Sequence, residues 1–230
     1  GLPLGRMLAE RLGMTAWLVN DADAAGLGEV KFGAGRGAGS VLYVNVGTGI
    51  GGAVLIDGRL HVGATSSAGE IGHMVFSPDG PTCECGKRGC LQALSSGRAI
   101  ARRAREMIDR TDARGALSAL PPDSLTGQRV GEAALQGDAL ALEAVNEAAR
   151  WLGIALANAT HLIDPERIIV GGGVTDLGEV FLDPVRDVCH VHLFGPPKNT
   201  PVVLAELGYD AGVVGAAAVA MDGAGARAEP

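Results

Sequence analysis

Val41-Leu42-Tyr43-Val44-Asn45-Val46-Gly47-Thr48-Gly49-Ile50-Gly51-Gly52-Ala53-Val54-Leu55-Ile56-Asp57-Gly58-Arg59-Leu60-His61-Val62 is the stretch whose reading decides the fold class. Val41 to Val46 reads as a strand, residues 47–52 as a glycine loop, and Ala53 to Ile56 as a second strand. Asp57-Gly58 is a two-residue hairpin signal, after which Arg59 to Val62 returns as a third strand. The glycine loop therefore joins two strands of an antiparallel meander. In dinucleotide-binding and P-loop motifs the loop instead opens a helix, so neither fits here.

Downstream, Ser95 or Ser96 opens a helix running to about Asp109. It carries Arg98, Arg102, Arg103 and Arg105, a solvated basic face with no aromatic interleaved to suit nucleic acid. Residues 111–127, with Pro121-Pro122, read as a loop or flap. Asp138 to Leu162 is a long helix, apolar on nearly every side and hence central. Arg167 to Val170 is a strand entering Gly171-Gly172-Gly173; a helix over 177–192, a strand over 201–205 and a small-residue helix from Ala211 to Ala220 follow. The last ten residues read as frayed.

Upstream, Pro3 to Leu12 has helical spacing and stops at Gly13, and Thr15 to Val19 reads as a short buried strand. Asn20-Asp21 follows, where an Ala-rich helix starts. Polar residues at a strand-to-helix junction are where α/β folds place chemistry, and either residue also serves as a helix cap. The expectation is a two-layer α/β protein with a mixed sheet flanked by helices.

The 230 residues suffice for one large domain or one and a half small ones. With 47% apolar but only 3% aromatic residues and 36 glycines, the core is built from Ala, Val, Leu and Ile. A net charge of −7 argues against broad binding to nucleic acid. No apolar run is long enough to span a membrane, and Gly1-Leu2-Pro3-Leu4 lacks signal-peptide character, so a cytoplasmic, reducing setting is expected. Three of four cysteines fall within eight residues, which suits a metal better than a disulfide framework. Cys189 stands alone and reads as a small buried hydrophobe, with a reactive thiol as the alternative.

His73-x9-Cys83-x-Cys85-x4-Cys90 offers three thiolates and one imidazole, a ligand set for closed, tetrahedral, structural zinc. Gly86 and Gly89 permit the sharp turns this needs, and Pro78-Asp79-Gly80-Pro81 bends the chain back from His73. Four protein ligands leave no open position for catalysis by the metal.

Glu70-Ile71-Gly72-His73 followed by Cys83-Glu84-Cys85-Gly86-x-x-Gly89-Cys90 resembles the zinc motif of the ROK family (repressors, open reading frames and kinases). Asn20 through Glu29 resembles the catalytic segment of that family's bacterial glucokinases. Residues 47–52 resemble its second phosphate motif, and Gly171-Gly172-Gly173-Val174 its nucleotide-side glycine turn, all in the family's order.

The resemblance implies the actin-like ATPase, ribonuclease H-like fold. It also implies transfer of the ATP γ-phosphoryl group, as the Mg complex, to the 6-hydroxyl of a hexose. Asp21 matches the catalytic base, and Asn20, Glu70 and His73 match sugar contacts. For His73, one ring nitrogen would hold zinc while the other faces a hydroxyl; the alternative is that it meets only backbone. Gly47, Thr48, Gly49 and Gly51, with Gly171, Gly172 and Gly173, match ATP contacts, against the plainer reading of tight turns.

Two departures stand out. No Asp-x-Gly-x-Thr hairpin precedes Asp21, so residues 1–19 read as a remnant of a small lobe mostly absent, 20–210 as the large lobe, and 211–230 as a terminal helix and tail. Turnover by the chain as it stands is left open. Gln92 replaces a family Glu two residues after the last zinc cysteine, which puts sugar selectivity in question. The alternatives to a kinase are the sugar-sensing domain of a ROK-type repressor, with nucleic acid as a partner only through an upstream helix-turn-helix, and a non-catalytic zinc-ordered interaction module. A homodimer is the expected assembly.

Overall fold

The computed structural model describes residues 2–110, 117–121 and 124–222. The expected flap over 111–127 and the expected frayed end therefore lie partly or largely outside the described residues. Five strands form one mixed sheet: β1 (Val41–Val46), β2 (Ile50–Ile56), β3 (Arg59–Leu60), β4 (Arg167–Gly171) and β5 (Val202–Leu204), in the order β3-β2-β1-β4-β5. The meander is as expected, with β1–β2 and β2–β3 antiparallel. β1–β4 and β4–β5 are parallel.

The helices do not form the single covering layer of a two-layer protein. β1 and β4 are apolar at almost every position, so both faces of the sheet need cover. Leu42, Val44, Val46, Ile168 and Val170 face one core together with α6 (Ala139–Ile163) and α7 (Glu179–His192). Val41, Tyr43, Ala53, Leu55 and Ile169 face a second core with α2 (Asp21–Phe32) and α8 (Ala211–Asp222). Three layers result. α6 has Asp138 as N-cap, its carboxylate accepting from Ala141 N at 2.9 Å, and it ends on Asp164 in the left-handed region.

α2 and α8 cross unusually closely. A Cβ on Gly28 would lie 2.7 Å from the Ala211 carbonyl oxygen, and one on Gly215 would lie 1.6 Å from that of Ala24. Only glycine permits this approach. At the other end of α2, Glu29 is fully buried. Its Oε2 accepts from Ala34 N (2.8 Å) and Glu206 N (3.1 Å), and its Oε1 from Leu207 N (2.8 Å). One side chain thus ties the end of α2 to the link between β5 and α8.

Several local expectations need correction. Thr15 to Val19 is extended but pairs with no strand among the described residues; Trp17 and Val19 instead pack at the edge of the second core. α1 (Leu4–Leu12) ends as expected on Gly13, in the left-handed region, yet none of its residues is buried. The helix expected from Ser95 or Ser96 is present as α4 (Gly97–Arg110), opened by Ser96, whose hydroxyl accepts from Ala99 N, and a short helix not expected from the sequence, α3 (Leu91–Ser95), precedes it. The arginines of α4 are largely paired: Arg98 with Glu84, Arg102 with Glu106 and Arg103 with Glu147. α5 (Gly127–Leu135) follows the expected flap. Gly51 and Gly52 belong to β2, not to a loop, and the third strand stops at Leu60. Cys189 is fully buried, and burial pushes its thiol up to about 11, so it behaves as a small apolar residue.

Candidate active site and metal centre

The N-terminus of α2 opens at the C-terminal side of β1. Asn20 is its cap: the side-chain oxygen accepts from Ala22 N (2.8 Å) and Asp23 N (3.3 Å). Asp21 Oδ1 accepts from Ala22 N at 2.9 Å. Both residues are exposed, and the positive end of the helix favours the carboxylates of Asp21 and Asp23 in its first turn. Capping thus uses only the oxygen of Asn20.

Three cavities meet around this terminus. One of about 460 Å³ is lined by Asn20, Asp21, Asp23, Asn45, Glu70 and Gln92, with the turn at Thr48-Gly49. A second, of about 740 Å³, runs between the same turn, the start of α4 and α5, and Gly173, with Tyr209 at its edge. A third, of about 300 Å³, holds Asp21, Asn45, Gly172, Gly173 and Asp176. Asp21 is shared by the first and third, and Thr48 by the first and second.

The glycine turn is tighter than its sequence suggests. Gly47 N donates to Gly49 O (2.9 Å), and Gly97 N donates to Gly47 O (2.8 Å), which braces the turn on α4. Ile50 N donates to Gln92 Oε1 at 3.1 Å. Gly51 is set within β2, where a Cβ would come to 3.1 Å from that of Ala22, so it makes room for α2. Of the expected phosphate-facing group, Thr48 and Gly49 line the 460 Å³ cavity with Gly51, while Gly47 spends its N–H inside the turn.

Gly171 ends β4 opposite Asn45, and Gly172 follows with φ 89°. A Cβ at Gly172 would lie 2.6 Å from both Asn45 Oδ1 and Val46 O, so the close approach of the two strand ends requires glycine. Gly173 starts a 3-10 turn, and Thr175 Oγ1 donates to Gly172 O at 2.7 Å. Tyr209 OH donates to Asp176 Oδ2 at 2.7 Å beside it.

Glu70 precedes a 3-10 turn, Ile71–His73, which carries the chain from the cavity wall into the thiol cluster. His73 is not among the residues lining the 460 Å³ cavity; it lies behind Glu70, with Nδ1 3.8 Å from Cys83 Sγ. Cys85 Sγ is 3.6 Å from Cys90 Sγ, and the four ligand atoms all lie within 4.8 Å of one another. In a tetrahedral zinc site with Zn–S near 2.3 Å, ligand atoms stand about 3.8 Å apart, so the spacing fits.

The turn that assembles the thiols is built as expected. Cys83 N donates to Lys87 O (2.8 Å) and Gly86 N to Cys83 O (2.9 Å). Gly86 and Gly89 take φ of 86° and 67°, and a Cβ on Gly89 would lie 1.6 Å from Ser77 O. The backbone N–H of Lys87 draws the exposed Cys85 thiol down to about 7, while burial pushes Cys90 up to about 12. A buried thiol so reluctant to ionise alone is suited to a compensating cation.

Gln92 and Glu84 join the two halves of the site. Gln92 takes the Ile50 N–H with its oxygen, and its Nε2 stands 3.5 Å from Glu84 Oε2. Glu84 lies between Cys83 and Cys85 and also pairs with Arg98, which lines the 740 Å³ cavity. The amide thus orders the glycine turn besides facing the 460 Å³ cavity.

Asn45, Asp23 and Tyr209 are site residues that sequence reasoning passed over. Asn45 was legible as the one polar residue in an apolar strand immediately before the glycine turn. Asp23 is 7% exposed and has its carboxyl pushed up to about 6 by burial, with Glu70 and Asp21 adding repulsion.

A sheet with a meander feeding a glycine turn, helices on both faces, and an acidic helix terminus between two clefts defines an actin-like ATPase fold of the sugar-kinase type. Residues 1–222 match the ROK family model, and the chain belongs to the ROK family. It is 39% identical over 226 residues to the glucokinase of Streptomyces coelicolor, covering 96% of this chain and 71% of that one. The crystal structure of a ROK family glucokinase from Streptomyces griseus in complex with glucose and AMPPNP superposes with a TM-score of 0.87 at 40% identity, covering 96% of this chain and 72% of that one. The xylose repressor of Caldicellulosiruptor bescii is 31% identical over 193 residues, covering 84% of this chain and 49% of that one. Among the described residues no helix is long and apolar enough to cross a membrane.

Proposed function

We propose that this chain is an ATP-dependent hexose kinase of the glucokinase type. The observation that carries the reading is the position of Asp21, in the wall shared by the 460 Å³ and 300 Å³ cavities. The first holds side chains suited to a polyol: Asn20, Glu70, Gln92 and Asn45 offer donors and acceptors to vicinal hydroxyls. Gly172 and Gly173 bring backbone close to the second. A hydroxyl held at Asp21 faces the space where a γ-phosphoryl group would enter from the glycine side.

Asp21 then acts as catalytic base. It accepts the proton of the 6-hydroxyl as the oxygen bonds phosphorus, with ADP leaving. Phosphoryl transfer asks chiefly for positioning and charge stabilisation, and a carboxylate is base enough for a proton lost late. The nucleotide, as its Mg complex, lies in the 740 Å³ cleft with its phosphates reaching Thr48, which also lines the 460 Å³ cavity. His73, Cys83, Cys85 and Cys90 would hold a structural zinc, which keeps the turn carrying Glu70 in place. In this reading residues 20–210 are the large lobe and the protein works in a reducing cytoplasm as a homodimer; size-exclusion chromatography tests the assembly.

The test is ATP-dependent phosphorylation of a hexose panel by the wild type and Asp21→Asn. The expected outcome is turnover by the wild type and its loss in Asp21→Asn, with hexose still bound by calorimetry. Undiminished phosphorylation by the variant removes Asp21 from its role. Tight hexose binding with no turnover by the wild type moves the chain to the sugar-sensing reading that the repressor relative suggests.

A further inference from the structure

Asp23 lies in the first turn of α2, two residues beyond Asp21. It lines the 460 Å³ cavity, is 7% exposed, and its Oδ1 has no hydrogen-bond partner among the described residues. Buried polar atoms are nearly always paired, so this orphan requires a reason. Packing does not supply one. Its helical neighbours Ala22, Ala24 and Ala25 are small and apolar, and an alanine at 23 would sit among them without desolvating a carboxyl. Asp21 and Glu70 make the site worse for a third carboxylate.

The charge of the wall restricts what can answer that acceptor. Asp21, Asp23 and Glu70 together disfavour a free anion such as inorganic phosphate without a cation, since it brings acceptors only. An uncharged ligand rich in O–H donors suits the same wall. We infer that Asp23 is a further sugar-contacting residue, which accepts the hydrogen of a hexose hydroxyl and selects for the hydroxyl it meets. The inference rests on the hexose-binding reading above and deepens it by assigning the unpartnered carboxyl to the acceptor's hydroxyls.

Calorimetry on the full, zinc-loaded chain tests it, without nucleotide, using glucose and its monodeoxy derivatives on the wild type, Asp23→Ala and Asp23→Asn. Melting curves establish that both variants fold. Asp23→Ala is expected to weaken glucose binding by about 10- to 100-fold, the range for a hydrogen bond to a charged group. Asp23→Asn, which keeps an acceptor oxygen, recovers part of the loss. One monodeoxy sugar binds the wild type as weakly as Asp23→Ala binds glucose, and loses nothing further in that variant. AMPPNP affinity is unchanged. Glucose binding to Asp23→Ala at wild-type strength overturns the inference and leaves the kinase reading standing. Losses that multiply for every deoxy sugar overturn it equally. A wild type that binds no hexose overturns both.

Discussion

Replacing Glu29 by Gln changes one atom in the interior, and its effect can be worked from the contacts. Glu29 is fully buried, and three backbone N–H groups point at its two oxygens: Ala34 and Glu206 at Oε2, Leu207 at Oε1. Only a carboxylate accepts at both atoms. In Glu29→Gln the amide keeps most by leaving its oxygen with Ala34 and Glu206, which sets its NH2 against the Leu207 N–H. One bond is lost, two donors (the Leu207 N–H and the new buried NH2) are left facing each other without an acceptor, and the two remaining bonds lose their charge assistance. With charged hydrogen bonds near 1.5–3 kcal/mol, neutral ones near 1 and an unsatisfied donor costing about 1–3, the net loss is about 3 kcal/mol after the gain from burying no charge. For a chain of this size that is a fall in melting temperature of roughly 6–12 °C. Urea unfolding and thermal melting measure it. A destabilisation under about 1 kcal/mol would refute the view that Glu29 clamps α2 to the β5–α8 link.

Two other perturbations follow from the site. Cys85→Ser is expected to release the metal; at free zinc a thousandfold above its dissociation constant the lost binding is about 4 kcal/mol, or roughly 8–16 °C of melting temperature. Metal analysis beside a melting curve checks this, and an unchanged curve with full metal content removes Cys85 from the ligand set. Asp23 has a folded-state value raised from 3.8 to about 6, chiefly by burial and then by Glu70 and Asp21. A raised carboxyl favours the protonated fold, so its contribution is present below pH 3.8 and lost as pH rises through 6. Asp23→Asn, without sugar, should therefore be more stable than the wild type above pH 6, by at most about 3 kcal/mol, with the difference vanishing near pH 4. Parallel melting curves for the two proteins across pH 4–8 contradict this.

The thiol cluster and the meander were legible because their signals are local: cysteine spacing, glycines at the bends, apolar runs broken by Asp57-Gly58. α6 was legible from its length and from Asp138 ahead of it. What failed depended on partners far away in sequence. Thr15 to Val19 has strand-like composition, but a strand needs a neighbour and the described chain provides none. Glu29 reads as one acid in a run of small residues, while its donors lie at 206 and 207. Gly28 and Gly215 look like ordinary glycines until the two helices are seen to cross. Gln92 was legible as a departure from the family pattern; that its oxygen serves the Ile50 N–H was not, because that bond joins a helix start to a strand start 42 residues earlier. α3 is too short at five residues to show a periodicity.

The contact between Gly28 and Ala211 also has a consequence in time. Asp21 emerges from the ribosome about 190 residues ahead of the helix that covers the back of α2. At typical synthesis rates that is roughly 10–40 s in which the acidic end of the site exists without its backing. Asn20 and Asp21 gain this backing only once α8 has been made, so a stop before Ala211 would spare every residue lining the 460 Å³ cavity and still remove the support of the helix that carries Asn20 and Asp21.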